Sequence, residues 1–445
     1  MTAIATVILA AGAGSRMKSS KPKVLHEIAG RAMVSHLLGT VAELAPEKSI
    51  VVVAPNMDDV RREVSPAETA VQENALGTGH AVAAALPNLA GFSGDILVLY
   101  GDTPLITRET LDKMITARRE DDKTAVVVLG FVPDDPAEYG RLVTSGDGEL
   151  QAIVEFADAS PEISAVNLCN SGVMAINGAY IKDLIGALDN KNSKGEFYLT
   201  DIVEIAVAQN LNCKVVVGDE EELLGVNNRM QLAQAEKIAQ TQWRRRAMMA
   251  GATLIDPDSV FLCHDTKLGQ DVVIEPNVFF GPGVTVGNNV RIKANSHIEG
   301  TTLGDGAQIG PFARLRPGAE IAEDVKIGNF VEVKKSILEK GAKVSHLSYI
   351  GDARVGADAN IGAGTITCNY DGYDKFKTDI GAGAFIGSNT SLVAPVKIGD
   401  GAIVGAGSTV TRSVEANALM VERADETQKS GWANRFRKLK KKLKK

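Results

Sequence analysis

Hydrophobic positions along the 445-residue chain obey two different periods, and the change between them falls near residue 250. Up to about residue 227, short β-branched runs ("ATVIL", "SIVVVA", "DILVLY", "TAVVVLG", "CKVVVG") alternate with stretches of helical spacing such as "RAMVSHLLGTVAEL" and "GHAVAAAL". Continuously apolar strands separated by amphipathic helices predict a mainly parallel sheet covered on both faces, the α/β class. From Asn228 to about Ala250 the chain lacks Pro and Gly and is rich in helix formers, which predicts one long helix closed by Gly251. With Gln and Arg on most faces and little apolar stripe, it reads as an arm between domains.

Beyond Gly251 the step becomes six. Ile274, Phe280, Val286, Ile292 and Ile298 keep it, as do Leu303, Ile309, Leu315, Ile321, Ile327 and Val333, and again Ile380, Ile386, Leu392, Ile398, Val404 and Val410. Six fits neither a 3.6-residue helix nor a hairpin meander, and it is the hexapeptide signature of a parallel β-helix, whose apolar residues stack coil upon coil. Such coils depart from the usual right-handed crossover, so a left-handed β-helix is expected, and its flat faces suit packing against further copies. One interruption stands out: Ile361 and Thr367 keep the step, but Ile380 arrives thirteen residues later. The composition and length of the intervening "CNYDGYDKFKT" suit a projecting arm; it reads either as a tolerated surface insertion or as an arm that reaches over a neighbouring subunit, with Asn369 and Tyr370 at its base. The expected organisation is an α/β domain over 1–227, a linker helix over 228–250, a β-helix over 251–434 and a basic tail over 435–445.

Composition narrows the class without naming a function. A hydrophobic content of 44% and a charged content of 23% are those of a globular protein. The last eleven residues carry eight Lys or Arg and no acid, so removing them from the net charge of −7 leaves an acidic body at −15. A tail of this kind suits polyanions or a membrane surface, but a solvated, disordered end is the expectation here. Cys169, Cys213, Cys263 and Cys368 lie far apart with no CxxC pair, which indicates neither zinc nor a disulfide framework and suits a reducing cytosol. No run of 18 apolar residues exists, so no membrane span is expected.

Candidate chemistry in the first part gathers where strands end. "LAAGAGSRMKSSKPKVL" follows the first strand; Gly12 and Gly14 let backbone N–H groups approach phosphate, and Arg16 and Lys23 add positive charge. It matches neither the Walker loop nor the dinucleotide fingerprint. "DILVLYGDTPL" ends in Gly101 and Asp102, a carboxylate placed either to hold Mg²⁺ against phosphates or to cap the following helix. "QENALGTGHAV" sets Gly77 and Thr78 ahead of a helix, with His80 packing behind them. In the second part the hexapeptide pattern is broken by Arg316, Lys334, His346 and Tyr349; Arg316 and Lys334 are eighteen apart and so stack on one face.

The ordered set "LAAGAGSRM…KPKVLH", "LGTGHA", "LYGDTPL", "YGR", "IVE", "NSGV", "EFYLTD" and "GVNNR" resembles the sugar-nucleotide pyrophosphorylases. With the hexapeptide domain attached, nearly the whole chain is similar to the bacterial family of bifunctional N-acetylglucosamine-1-phosphate uridyltransferases/glucosamine-1-phosphate acetyltransferases. The resemblance implies acetyl transfer from acetyl-coenzyme A to glucosamine 1-phosphate, then uridylyl transfer from UTP, in a cytoplasmic homotrimer that feeds peptidoglycan and lipopolysaccharide synthesis and binds no nucleic acid. It implies a nucleotide and sugar site of Leu9, Ala10, Ala11, Gly12, Lys23, Gln72, Gly77, Thr78, Tyr100, Gly101, Asp102, Gly140, Glu155, Asn170 and Asn227. Asp102 and Asn227 would ligate Mg²⁺, and Arg16 would face the α-phosphate. In the second site it implies His346 as the base that takes the amine's proton, with the sugar phosphate on Arg316, Lys334, Tyr349 and Asn360. Acetyl-coenzyme A would lie on Ala363, Asn369, Tyr370, Ser388, Ala406 and Arg423. Ser15 and Ser171 stand where the family more often has Thr. A rival reading is a single-activity pyrophosphorylase whose β-helix only trimerises the chain.

Overall fold

The run Ile4–Leu9 is apolar at every position but one, a pattern that only the middle of a sheet can bury on both faces. In the computed structural model, which describes residues 3–136, 139–192 and 194–443, it pairs in parallel with Lys48–Val53 on one side and Asp95–Tyr100 on the other. The strand order is Asn212–Val217, Thr124–Phe131, Cys169–Asn177, Asp95–Tyr100, Ile4–Leu9, Lys48–Val53, Glu68–Val71, with the hairpin Arg141–Thr144/Leu150–Val154 attached to Cys169. Alternate side chains divide the core. Val7, Val52, Val98 and Val126 pack beneath Thr78–Ala85 and Ile202–Ala208; Ile8, Val51, Leu97 and Val127 pack beneath Met33–Ala42 and Arg108–Arg119.

All five expected strands form, and the sheet is mainly parallel. Besides the attached hairpin, the exception is Cys169–Asn177, which runs antiparallel to both neighbours in the main strand order and carries a bulge between Asn170 and Met174. Polar Asn170 and Ser171 and the break at Gly172 conceal it in the sequence. The long helix runs Arg229–Met249 and is capped by the Asn228 carboxamide, which accepts from the backbone N–H groups of Met230 and Gln231. Gly251 follows it in the left-handed region at φ 107°. The helix is less uniformly polar than expected: the small residues Ala235 and Ala239 are buried with Ile28, Met33 and Val226, and Leu232 and Trp243 pack against them. The chain divides into two compact units, Met1–Trp243 and Arg244–Lys445.

The second unit is a left-handed parallel β-helix of three sheets with ten, eight and eight very short strands. Ile274, Ile292, Ile309, Ile327, Val344, Ile361, Ile386 and Val404 stack in register through its interior. Some coils drop one corner residue, which turns a step of six into five, as from Ile298 to Leu303; Asn and Asp in left-handed conformation hold many of the corners. The interruption leaves the stack intact, because Ile361 still pairs with Ile386. Its arm closes on itself through a bridge between Tyr370 and Lys375, and the Asp371 carboxylate accepts from the N–H groups of Tyr373 and Asp374.

The expectation of a disordered tail is overturned. Trp432–Leu443 is an α-helix, as its run of Ala, Arg, Lys and Leu without Pro or Gly favours; the last two lysines lie outside the described residues.

Candidate active sites

At the carboxyl end of Ile4–Leu9 the chain turns away from the sheet and opens a cleft of about 470 Å³. Its lining includes Leu9, Ala10, Ala11, Gly12, Lys23, Gln72, Gly77, Thr78, Tyr100 and Asp102, so ten of the expected residues share one concavity. Gly101 underlies it, donating its N–H to the Leu9 carbonyl at 3.0 Å. The two loop glycines have different reasons. A Cβ on Gly12 would meet nothing within 4 Å, which leaves its backbone open to a ligand. Gly14 sits at φ 61°, and a Cβ there would come 2.6 Å from the Lys23 Cβ, so its task is to let the lysine stem pass.

Lys23 crosses the floor. Its ammonium is paired with the Asp102 carboxylate and donates to Asn227 Oδ1 at 3.0 Å, and the Lys23 and Asp102 side chains are only 14% and 15% exposed. The two expected metal ligands therefore converge their oxygens on one cationic centre. Helix capping is the wrong reading of Asp102, because Thr107 caps Arg108–Arg119. Gln72 is buried and uses its amide N–H groups on the Gly77 carbonyl at 3.0 Å and on His80 Nδ1 at 3.3 Å, which leaves its amide oxygen as an unused acceptor. Thr78 accepts from the Leu199 N–H at 3.0 Å, which ties "LGTG" to "EFYLTD" and brings Glu196, not expected from the sequence, into the lining.

A second group adjoins Tyr100. Asn170 donates its N–H to the Gly140 carbonyl at 2.8 Å, and a Cβ on Gly140 would stand 3.7 Å from both Asn170 Cβ and Glu155 Oε2. Burial, and then the negative charges of Asp102 and Glu155, hold the Tyr100 phenol protonated far above its ordinary range. Burial also raises the Glu155 carboxyl. Ser171 turns its hydroxyl to the Leu129 carbonyl at 2.6 Å, where it serves the bulge. Arg16 stands exposed in the one-turn helix Ser15–Met17, outside the lining of the cleft.

The β-helix carries its chemistry on a convex surface. Arg316 donates to Glu332 Oε1 at 2.8 Å and lies in register with Lys334 on the next coil. Partial burial and then the Lys375 ammonium, with Arg316 contributing further, hold the Lys334 amine below its ordinary range. Three cations from two coils and the arm thus share one neighbourhood. Tyr349 follows on the next coil and lies over Gly351, where any Cβ would collide with its hydroxyl. Asn360 stands between Lys343 and Phe385 in the neighbouring sheet.

One corner forms a continuous row. Leu347 donates to the Asn329 carbonyl, Gly364 to that of His346, Asn389 to that of Ala363 and Gly407 to that of Ser388. Asn329, His346, Ala363, Ser388 and Ala406 therefore succeed one another coil by coil, and a Cβ on Gly407 would lie 3.8 Å from Arg423 Cδ, which brings Arg423 to the end of the line. At its head, His346 Nδ1 is 2.7 Å from Asn329 Oδ1. An amide oxygen only accepts, so in the neutral imidazole Nδ1 carries the proton and Nε2 the lone pair. Asn369 and Tyr370 stand apart from this row: buried Asn369 is bonded to Asp352, and the exposed Tyr370 hydroxyl donates to the Gly372 carbonyl at 2.6 Å. Sequence reasoning missed Asn329 and Lys375; only the seventeen-residue spacing to His346 and a lysine inside the irregular arm marked them.

Residues 6–151 match the MobA-like NTP transferase domain family, and residues 265–300, 300–335 and 377–412 match the bacterial transferase hexapeptide (six repeats). The chain is 60% identical over 434 residues to a bifunctional protein GlmU of Paramagnetospirillum magneticum, covering 98% of this chain and 96% of that one. It is 58% identical over 437 residues to that of Rhodospirillum rubrum (98% of each chain) and 49% identical over 440 residues to that of Zymomonas mobilis (98% of each).

Proposed function

Since the chain belongs to the GlmU family of bifunctional proteins, we propose a division of labour in which each unit's residues serve one of its two transfers. The enzyme acetylates glucosamine 1-phosphate from acetyl-coenzyme A, then joins the N-acetylglucosamine 1-phosphate to the uridylyl group of UTP and releases pyrophosphate. In the cleft, the phosphate oxygen of the sugar attacks the α-phosphorus as the bond to the β-phosphate breaks. Lys23 and Arg16 neutralise charge on the phosphates, and the remaining work is positioning. The unused amide oxygen of Gln72 suits the N3–H of uracil, which cytosine lacks. Gly140, Glu155 and Asn170 hold the sugar beside Tyr100. Asp102 and Asn227 fit Mg²⁺, since both already turn hard oxygens toward one cation; they would hold the metal, which when bound would supply further charge neutralisation against the phosphates.

On the β-helix, the sugar amine attacks the thioester carbonyl, His346 Nε2 takes the amine's proton and returns it to the sulfur as the carbon–sulfur bond breaks, and coenzyme A leaves as its thiol. Asn329 fixes the tautomer. Arg316 and Lys334, joined by Lys375, hold the phosphate of the acceptor, with Tyr349 and Asn360 against the sugar. The narrow row Ala363, Ser388, Ala406 and Arg423 offers an extended track to the acetyl donor, and Asn369 and Tyr370 brace the arm beside it. The observation that carries this reading over the single-activity alternative is the free Nε2 of His346 at the head of that track.

Exposed Phe312, Phe330 and Leu347 adjoin the same row, all in left-handed conformation at φ 55°, 56° and 50°. Bulky residues seldom accept that backbone strain on an open surface, and here it supports a homotrimer whose neighbouring copy covers the ridge and walls the second site. The test supplies glucosamine 1-phosphate, acetyl-coenzyme A, UTP and Mg²⁺ and follows coenzyme A and pyrophosphate together. Both should appear in equal amounts; pyrophosphate released from UTP with glucosamine 1-phosphate itself as the acceptor, and no coenzyme A, would support the single-activity reading.

A further inference from the structure

The helix Trp432–Leu443 carries none of the residues assigned to either active site, and its pattern is unlike that of the other helices among the described residues. Trp432, Phe436, Leu439 and Leu443 are spaced four, three and four apart, which places them on one face, and they are 53%, 43%, 56% and 72% exposed. The Trp432 and Phe436 rings stack at 5.1 Å. Arg435, Arg437, Lys438, Lys440, Lys441 and Lys442 occupy the rest of the circumference, with no acid in the helix. Lys440 holds its ammonium 5.6 Å from the Phe436 ring centre, so its stem runs beside the apolar face while its charge points along the flank.

We infer that this helix docks in the plane of an anionic phospholipid bilayer. At about 1.5 Å per residue it is roughly 18 Å long, too short and too charged to span a bilayer, but a basic helix with an aromatic and leucine stripe has the chemistry of one lying at the headgroup boundary. The stripe enters the acyl edge, and the lysines and arginines reach the lipid phosphates. A nucleic acid would satisfy the cations and leave four large apolar side chains in water. The same helix of a second copy would answer the stripe but confront six positive charges with six more. A bilayer meets both faces at once. The remainder of the chain is acidic, so the attraction is confined to this segment and orients the molecule.

The experiment sediments the full chain with vesicles of phosphatidylglycerol and phosphatidylethanolamine, and separately with phosphatidylcholine vesicles. Binding to the anionic vesicles should exceed binding to phosphatidylcholine by roughly tenfold and weaken with added salt. Two variants separate the components: F436S/L439S removes the stripe and keeps the charge, and K440Q/K441Q/K442Q does the reverse. Each should lose about tenfold in anionic vesicle affinity while keeping both transferase activities and the oligomer size of the parent. Equal binding to the two vesicle types overturns the inference. So does undiminished vesicle binding by F436S/L439S, which would leave only a polyanion arm, or a smaller oligomer for that variant, which would assign the stripe to another copy.

Discussion

The cleft of the first unit and the row on the β-helix are built on opposite plans. In the cleft, Lys23, Asp102 and Asn227 come from three separate segments, and the same chain walls them in. On the β-helix the coils spend their apolar residues on the interior stack and present His346, Arg316 and Tyr370 outward, with no wall of their own. Desolvation strengthens charge–charge interactions, and the first site achieves it within one copy. Under the proposed assembly the second would achieve the same only with another copy, and the ridge of Phe312, Phe330 and Leu347 in left-handed conformation beside His346 is where that copy would bear. An α/β sheet makes concavity at its strand ends, whereas a regular solenoid makes it by assembly.

The largest effects should fall on one site and spare the other. His346→Ala should slow coenzyme A release by on the order of 10²–10⁴-fold and leave pyrophosphate release from N-acetylglucosamine 1-phosphate unchanged. Asp102→Ala should reverse that pattern by a factor on the order of 10³, because it leaves Lys23 without its partner and would remove a proposed Mg²⁺ ligand. Loss of both reactions in either variant, measured with separate substrates, would break the comparison. Deleting Asp371 to Lys377 should come next, since it removes Lys375 from beside Lys334: acetyl transfer should fall roughly a hundredfold through a higher KM for glucosamine 1-phosphate, with uridylyl transfer intact. Asn329→Ala should cost about tenfold in kcat of acetyl transfer with little change in either KM, as expected of a residue that orients the base without touching substrate.

The smallest effect concerns Asp201, beside the motif that closes the cleft. Burial first, then Glu204 and other nearby carboxylates, push its carboxyl up to about 6. The folded chain keeps a proton that the unfolded chain releases near pH 4, so this group costs little at pH 4, destabilises the fold progressively between about pH 4 and 6, and contributes a constant penalty above that. Asp201→Asn should raise the melting midpoint by about 1–2 °C at pH 8 and leave it unchanged at pH 4, as differential scanning calorimetry would register.

How legible each region was follows from the same contrast. The buried parallel strands announced themselves because both faces need apolar residues, and the β-helix because each interior position repeats at every coil. Cys169–Asn177 was hidden, since an antiparallel strand bent around Gly172 keeps no such pattern. The lining of the cleft was readable because its residues sit in short motifs at strand ends. Asn329 was not, since its partner His346 is brought to it only by the coil length. Lys375 lies in the one stretch where periodicity says nothing, and the tail's helix was obscured by a charge density that also suits disorder.

The most direct measurement follows both reactions per chain while the protein is diluted, for the parent and for Phe330→Ser. If the second site is completed by a neighbouring copy, coenzyme A release per chain should fall with dilution, at higher protein concentration in the variant, while pyrophosphate release from N-acetylglucosamine 1-phosphate stays constant. Acetyl transfer that persists undiminished in chains shown by ultracentrifugation to be monomeric would contradict the account.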